Sequence, residues 1–461
     1  MRTTRYRSSR TTHRRVSPWL AALTTLPLLA ACQIGPNPIT SAVSGSGDDA
    51  PTAAAPAELA PVQLQVPPGL DAAPLDEPRE ALVPQGWTLS VFTRIENARM
   101  AVWTPDGDLL VSVPDDGAVY RVAPDGTREA PIVEGLSQPH GLAFAGDDLY
   151  IAQSNRVDAW TYADGRATDP RPVVENLPDA NSPDLRGAYG HELKSVAVGD
   201  DGAVYISIGS TGNISVEDLD ADPPRASILR VPPGGGPAEP FAVGVRNGTG
   251  LSVAPDGEVW TAVNGRDNVP YPYDRPYGDG SGSSFGDVID DYVTAHPAEQ
   301  LARLTPGRNL GWPYCNPDAD TDPGVAGSPQ DFTDVPMVAD AELNPGGREL
   351  DCASLPRIEQ TFPAHSAPLG LAFGDLPAPF GEGALAGVHG SWNAEPPTAP
   401  EVAFFPYRDG EMGPQQTLVG GFQYPTGARW GRPVAAVAGP DGAVYITDDD
   451  AGAVYRLSPP A

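Results

Sequence analysis

Three basic side chains, His191, Arg246 and Arg432, have the types and spacing needed to handle a proton and an anion together. A histidine can take a proton from a hydroxyl because its pKa lies near neutral pH. An arginine stays charged and offers a planar fork that steadies adjacent oxygens or grips a carboxylate. His191 sits in "GAYGHELKSVAVGDDGAVYISIGSTGN", residues 187 to 213, three positions before Lys194, the only lysine of the chain. Bland readings stand beside these. His191 could close a strand against backbone, Arg246 could be an ion pair between neighbouring units of a strongly acidic chain, and Lys194 could be purely structural.

The elements that position these residues are repeats. Short apolar runs ending in turns recur as "RMAVWTPDGDLLVSV" at 99, "HGLAFAGDDLYIAQ" at 140, "KSVAVGDDGAVYISI" at 194, "TGLSVAPDGEVWTAV" at 249, "LGLAF" at 369 and "PVAAVAGPDGAVYIT" at 433. In most copies alternating strands flank an Asp-Gly turn, the pattern of a β-hairpin. Third strands follow in "GAVYRVAPDG" at 117 and "GAVYRLSPP" at 452. Multi-stranded units of this length, joined by turns in a chain of 461 residues with 54 Pro and 51 Gly, predict an all-β, six-bladed β-propeller over residues 84–461.

The repeat also serves as a ruler. Four positions before the residue aligned with Gly250 lies His191 in the third unit and Arg246 in the fourth; two positions before it in the sixth lies Arg432. Side chains alternate along a strand with period two, so the three share one parity at the mouth of the inner strands. Lys194 has the opposite parity and is expected to face between blades.

The interval 266–364, between the fourth and fifth copies, is read as a long loop insertion carrying "RPYGDGSGSSFGDVIDD", "GRNLGWPYC", Cys315 and Cys352. Long insertions on a rigid scaffold serve as lids, binding loops or braces. Within it, "DDYVTAHPAEQL" offers Asp290, Asp291 and Glu299 to a metal, with a solvated acidic loop as the alternative. His140, His365 and His389 lie at strand ends and read as structural.

Residues 1–31 hold six Arg and no acid, and the apolar run Trp19–Ala31 ends in "LAAC". This looks like a bacterial lipoprotein signal, with Cys32 as the lipidated residue and membrane tether of an exported, cell-envelope protein. Residues 32–83 read as a flexible linker, low in complexity to about 66. In an oxidising compartment Cys315 and Cys352 are expected to form a disulfide. The formal charge of −31, with no basic stripe beyond residue 31, excludes nucleic acid as a partner. There is no C-x-x-C-H, so no c-type haem is attached, and electrons taken up here must leave to another molecule.

Five segments, "GHELKSVAVGDDGAVYISIGSTGN", "GVRNGTGLSVAPDGEVWTAVNGRDN", "GRNLGWPYC", "LAGVHGSWN" and "GRPVAAVAGPDGAVYITDDD", in this order from about Pro84 to the C-terminus, resemble the pyrroloquinoline quinone (PQQ)-dependent soluble sugar dehydrogenases, including the L-sorbosone dehydrogenase branch. The resemblance implies oxidation of a sugar, sugar-derived aldehyde or alcohol by hydride transfer to PQQ, with electrons passed to an external acceptor. It implies His191 as general base, Arg246 as the stabiliser of charge on the quinone, Asn247 and Arg432 as cofactor contacts, and the backbone carbonyls of Gly265 and Arg266 as ligands of a Ca²⁺ that suits oxygen donors. The chain departs from the family pattern at four places. Ser210 stands where glucose-oxidising members carry the Asp that orients the base, Arg266 replaces a Pro, the fifth-blade Lys has no counterpart, and Ala394 follows "HGSWN". Two alternatives remain open from the sequence: a non-catalytic envelope propeller binding a glycan or protein partner, and a hydrolytic propeller with inward carboxylates around a metal.

Overall fold

The computed structural model describes residues 57–460; the expected signal segment and Cys32 lie outside them. Among the described residues no helix is long and apolar enough to cross a membrane. Six sheets, each with four principal antiparallel strands and three of them with one short extra strand, are arranged as propeller blades. The first comprises Ala101–Trp103, Leu109–Val113, Ala118–Val122 and Arg128–Val133; the second runs from Leu142–Ala145 to Arg166–Val174. The third runs from Val196–Val198 to Glu239–Val243, and the fifth from Pro368–Leu376 to Gln416–Val419. The sixth is completed by an N-terminal strand: Thr88–Arg94 pairs with Ala453–Ser458, so the two ends of the chain close the ring together. Closure removes the open edges that a linear array of sheets would expose.

Local chemistry explains the hairpins. In the Asp-Gly turns the aspartate carboxylate accepts from the backbone two residues on, as Asp125 does from Thr127 at 2.9 Å and Asp201 from Ala203 at 2.9 Å, the Asx geometry that stabilises a turn. The second strands of the first, third, fourth and sixth blades are buried along their whole length, because each blade is covered on both faces by its neighbours. First strands line a narrow axial channel with a cavity of about 50 Å³, bordered by small residues such as Gly141, Gly370 and Ala435. A Cβ on Gly370 would lie 2.7 Å from that of Ala435, so the channel closes only with glycine there. Hydroxyls stitch neighbouring blades around it: Ser112 donates to the His140 carbonyl at 2.7 Å, Ser195 to Thr249 at 2.5 Å and Thr447 to Arg99 at 2.6 Å.

Two expectations need correction. The interval 266–364 is not simply an insertion between blades, because it contains the outer half of blade four: Glu299–Leu304 and Ile358–Phe362 are that blade's third and fourth strands. The additional chain therefore forms two excursions, one on each side of Glu299–Leu304. The stretch expected as linker also becomes structured from residue 57. Leu59–Gln63 pairs with Glu80–Pro84, and Leu64, Leu75, Ala81 and Val83 join the apolar cluster around Trp87, Phe404 and Trp430. Its apolar residues are sparse but gain a large surface to cover, which offsets the ordering cost that low complexity alone would not.

Candidate active site

The loops entering the first strands and leaving the second strands open at one end of the propeller, and the chemistry-bearing residues collect there. His191 precedes the first strand of blade three, Arg246 precedes that of blade four, and Asn264–Asp267 leave the second strand of blade four at Val263.

His191 is held from one side only. Its Nδ1 lies 3.1 Å from the Ser210 carbonyl and 2.8 Å from the Ser210 hydroxyl, which itself donates to the Gly212 carbonyl at 2.7 Å. A carbonyl can only accept, so Nδ1 carries the hydrogen and Nε2 of the neutral ring keeps its lone pair. Burial, and next the positive field of Arg246, press the imidazole pKa down to about 4. The ring is thus neutral at ordinary pH. The fit depends on Gly209, whose absent Cβ would fall 2.6 Å from that of His191.

Arg246 is buried and held by acceptors from two loops, the one bearing Asn213 and the one bearing Asn264 and Asp267. Its Nε donates to the Asn213 carbonyl at 3.1 Å, Nη1 to that of Asn264 at 3.2 Å, and Nη2 to Asn213 Oδ1 at 3.1 Å and Asp267 Oδ2 at 3.4 Å. Asn213 is the hub, since its carbonyl also accepts from Trp312 Nε1 at 3.1 Å and its carboxamide bridges to the backbone of Asp267. Asp267 in turn faces His365 Nδ1 at 3.7 Å. Burial opposes a charge on His365, yet Asp267, the Val293 carbonyl at 2.6 Å and Glu299 outweigh it and hold the ring's pKa above the usual value.

Arg432 is placed differently. Its Nε donates to the His389 carbonyl at 3.0 Å, and among the described residues its two terminal nitrogens have no hydrogen-bond partner. Of a guanidinium's five N–H donors, those of Arg246 are mostly committed to the protein, and those of Arg432 are mostly available. His389 ties this corner to Asp449 at 2.7 Å, and Asp449 pairs with Arg99 at 2.6 Å.

Asn247 is half-buried and its carbonyl accepts from the Asn264 amide at 3.0 Å. Gly265 donates its amide to Glu299 at 3.2 Å, and the Arg266 side chain turns away into a buried pair with Asp340 and a second pair with the half-exposed Glu342. Neither the Gly265 nor the Arg266 carbonyl accepts a hydrogen bond among the described residues. Glu299 is no solvated loop residue: it opens a strand, is fully enclosed, and burial lifts its pKa to about 7. Asp290 and Asp291, at the start of the helix Asp290–Ala295, are exposed. Lys194 is buried, donating to the Glu192 carbonyl at 2.6 Å with its ammonium 4.8 Å from the Tyr189 ring centre. Cys315 and Cys352 form the expected disulfide.

Asn213, Asp267 and Trp312 lie inside the segments that carry the resemblance but had no signal in the repeat, because the loops bearing them differ from blade to blade, and His365, read as structural, faces Asp267. A family model for TrAA12-like proteins matches residues 81–459. The chain belongs to the TrAA12-like family. Among similar solved structures is the holo form of the PQQ domain of pyranose dehydrogenase from Coprinopsis cinerea, 20% identical, covering 86% of this chain and 100% of that one with a TM-score of 0.67. A calcium structure of the Trichoderma reesei Carbohydrate-Active Enzymes Family AA12 protein is 19% identical, covers 82% and 96% of the two chains, and has a TM-score of 0.65. A curated relative from Borreliella burgdorferi, described only as an uncharacterized protein, is 22% identical over 398 residues, 81% of this chain and 90% of its own. At these identities the likenesses establish the fold; the chemistry rests on the side chains above.

Proposed function

We propose that the chain is a PQQ- and Ca²⁺-dependent dehydrogenase that oxidises a sugar, a sugar-derived aldehyde or an alcohol and passes electrons to an external acceptor. The observation that carries this reading is the His191–Arg246 pair, in which an unprotonated Nε2 stands within the field of a fixed guanidinium. The donor set suits the cofactor: Arg432 has free N–H groups for a carboxylate, and the Gly265 and Arg266 carbonyls are uncommitted oxygen donors for a hard cation. PQQ, when bound, supplies the two-electron acceptor for a hydride.

The chain's own residues do the rest. His191 Nε2 accepts the proton of a substrate hydroxyl while Ser210 fixes the tautomer from the other side of the ring. Arg246, immobilised by Asn213 and Asp267, presents positive charge without having to reorganise. Arg432 orients an anionic group, and Asn247 sits beside Arg246 to contact it. Because the ring is a weak base, the reading also accounts for Ser210 in place of a carboxylate: serine selects the tautomer without raising the basicity. Export and tethering through a lipid on Cys32 would place the reaction at the cell envelope. Titration of the purified protein with PQQ and Ca²⁺, followed by the cofactor's absorbance, tests the reading. It expects saturable, Ca²⁺-dependent binding at micromolar PQQ, and absence of binding would overturn it.

A further inference from the structure

A second group of chemistry-bearing side chains lies in the two excursions that flank Glu299–Leu304. His296, Asp318 and Asp320 are all buried, and one ligand atom from each comes within 4.8 Å of the others. His296 Nδ1 lies 2.9 Å from the Tyr292 carbonyl, so Nδ1 carries the hydrogen and Nε2 is the lone-pair nitrogen. That Nε2 faces Asp320 Oδ1 at 3.2 Å and Asp318 Oδ1 at 3.8 Å, yet has no hydrogen-bond partner, and His296 is only 4% exposed. A lone pair enclosed with two carboxylates is repulsive unless a cation sits among them. Among the described residues no Arg or Lys nitrogen lies within 4.0 Å of either carboxylate.

We propose that His296, Asp318 and Asp320 bind one divalent transition-metal ion of the Zn²⁺ class, fastening the end of the helix Asp290–Ala295 to the loop that follows Cys315. Ligands about 2 Å from a tetrahedral Zn²⁺ are themselves roughly 3.3 Å apart, a spacing that the two separations from His296 Nε2, 3.2 Å and 3.8 Å, bracket. The outer contacts fit as well. A metal-bound histidine ordinarily donates its other N–H to a backbone carbonyl, as Nδ1 does, and ligating carboxylates are held by donors of their own. Tyr273 donates to Asp318 Oδ2, the Asp320 amide donates to Asp318 Oδ1 at 3.1 Å, and Tyr292 stacks on the imidazole with ring centres 4.0 Å apart. An imidazole ligand favours Zn²⁺ or its neighbours over Ca²⁺ and separates this position from the all-oxygen donors at Gly265 and Arg266. Water would fill the fourth position. The disulfide Cys315–Cys352 anchors the same loop, so metal and disulfide would brace the excursions together.

The full chain, freed of metal with a chelator and tested without PQQ, should take up one equivalent of Zn²⁺. Its melting temperature should rise with free Zn²⁺, as expected when a ligand binds only the folded state. Co²⁺ in its place should give the visible bands of a four-coordinate site, and excess Ca²⁺ should neither produce nor displace those bands. Asp320→Asn and His296→Gln should each weaken Zn²⁺ uptake at least tenfold. A wild-type protein that shows no uptake, no shift and no Co²⁺ bands at millimolar metal would overturn the proposal and leave a protonated histidine between two carboxylates. So would folded variants that bind as the wild type does. Should either variant fail to fold, the wild-type Co²⁺ spectrum decides.

Discussion

Ser210 holds His191 through two acceptors at once: the ring's Nδ1 lies 2.8 Å from the hydroxyl and 3.1 Å from the carbonyl of the same residue. One residue thus selects the tautomer that leaves Nε2 open, and it does so without adding negative charge.

The pH dependence follows from that arrangement. The working form of His191 is neutral, and its pKa is lowered to about 4, by burial first and by Arg246 second. Turnover limited by this base should therefore rise with pH through about 4 and be flat above it. In Ser210→Asp a carboxylate facing Nδ1 favours the imidazolium, so the acid limb should move to higher pH. A pH–rate profile of variant and wild type checks this, and an unmoved limb would separate Ser210 from the base.

Asp267 balances two cations, Arg246 and His365. Asp267→Asn removes that charge while keeping the shape. The His365 pKa should fall, as seen by NMR titration, and stability should drop by about 1–3 kcal/mol, an amount tempered by Asp267's partial exposure. An unchanged His365 titration would contradict the pairing.

How much of this was legible in the sequence follows from where each residue gets its contacts. The blades were readable because Asp-Gly turns and alternating strands are local signals, and the register that equates His191 with Arg246 needed only those. Blade four's outer strands were not readable: Glu299–Leu304 and Ile358–Phe362 pair across more than fifty residues of intervening loop, and no periodicity links them. Asn213 escaped for the same reason, since its importance comes from Arg246, Trp312 and Asp267 reaching it from three other loops. The hairpin Leu59–Pro84 was hidden by Pro- and Ala-rich composition, and only its partner surface makes it a strand pair.

Lys194 illustrates the opposite case, a rare residue whose buried ammonium is committed to the Glu192 carbonyl. Burial lowers its pKa from 10.5 to about 7. The unfolded chain therefore binds more protons between those values, so this group's penalty on folding eases as pH rises from about 7 toward 10. Lys194→Met should lose that rise while keeping dye-reducing turnover close to wild type. Thermal melts across this pH range check it; parallel curves for the two proteins would contradict the buried, proton-shedding ammonium.

The central claim, that Nε2 of His191 is the base of a PQQ-dependent oxidation, is tested most directly by dye-coupled turnover of the PQQ- and Ca²⁺-loaded protein across sugars and alcohols, wild type against His191→Ala. The account predicts a substrate that the wild type oxidises and the variant oxidises at least about 100-fold more slowly, as loss of a general base implies, with PQQ affinity little changed. Turnover by His191→Ala at the wild-type rate would contradict it.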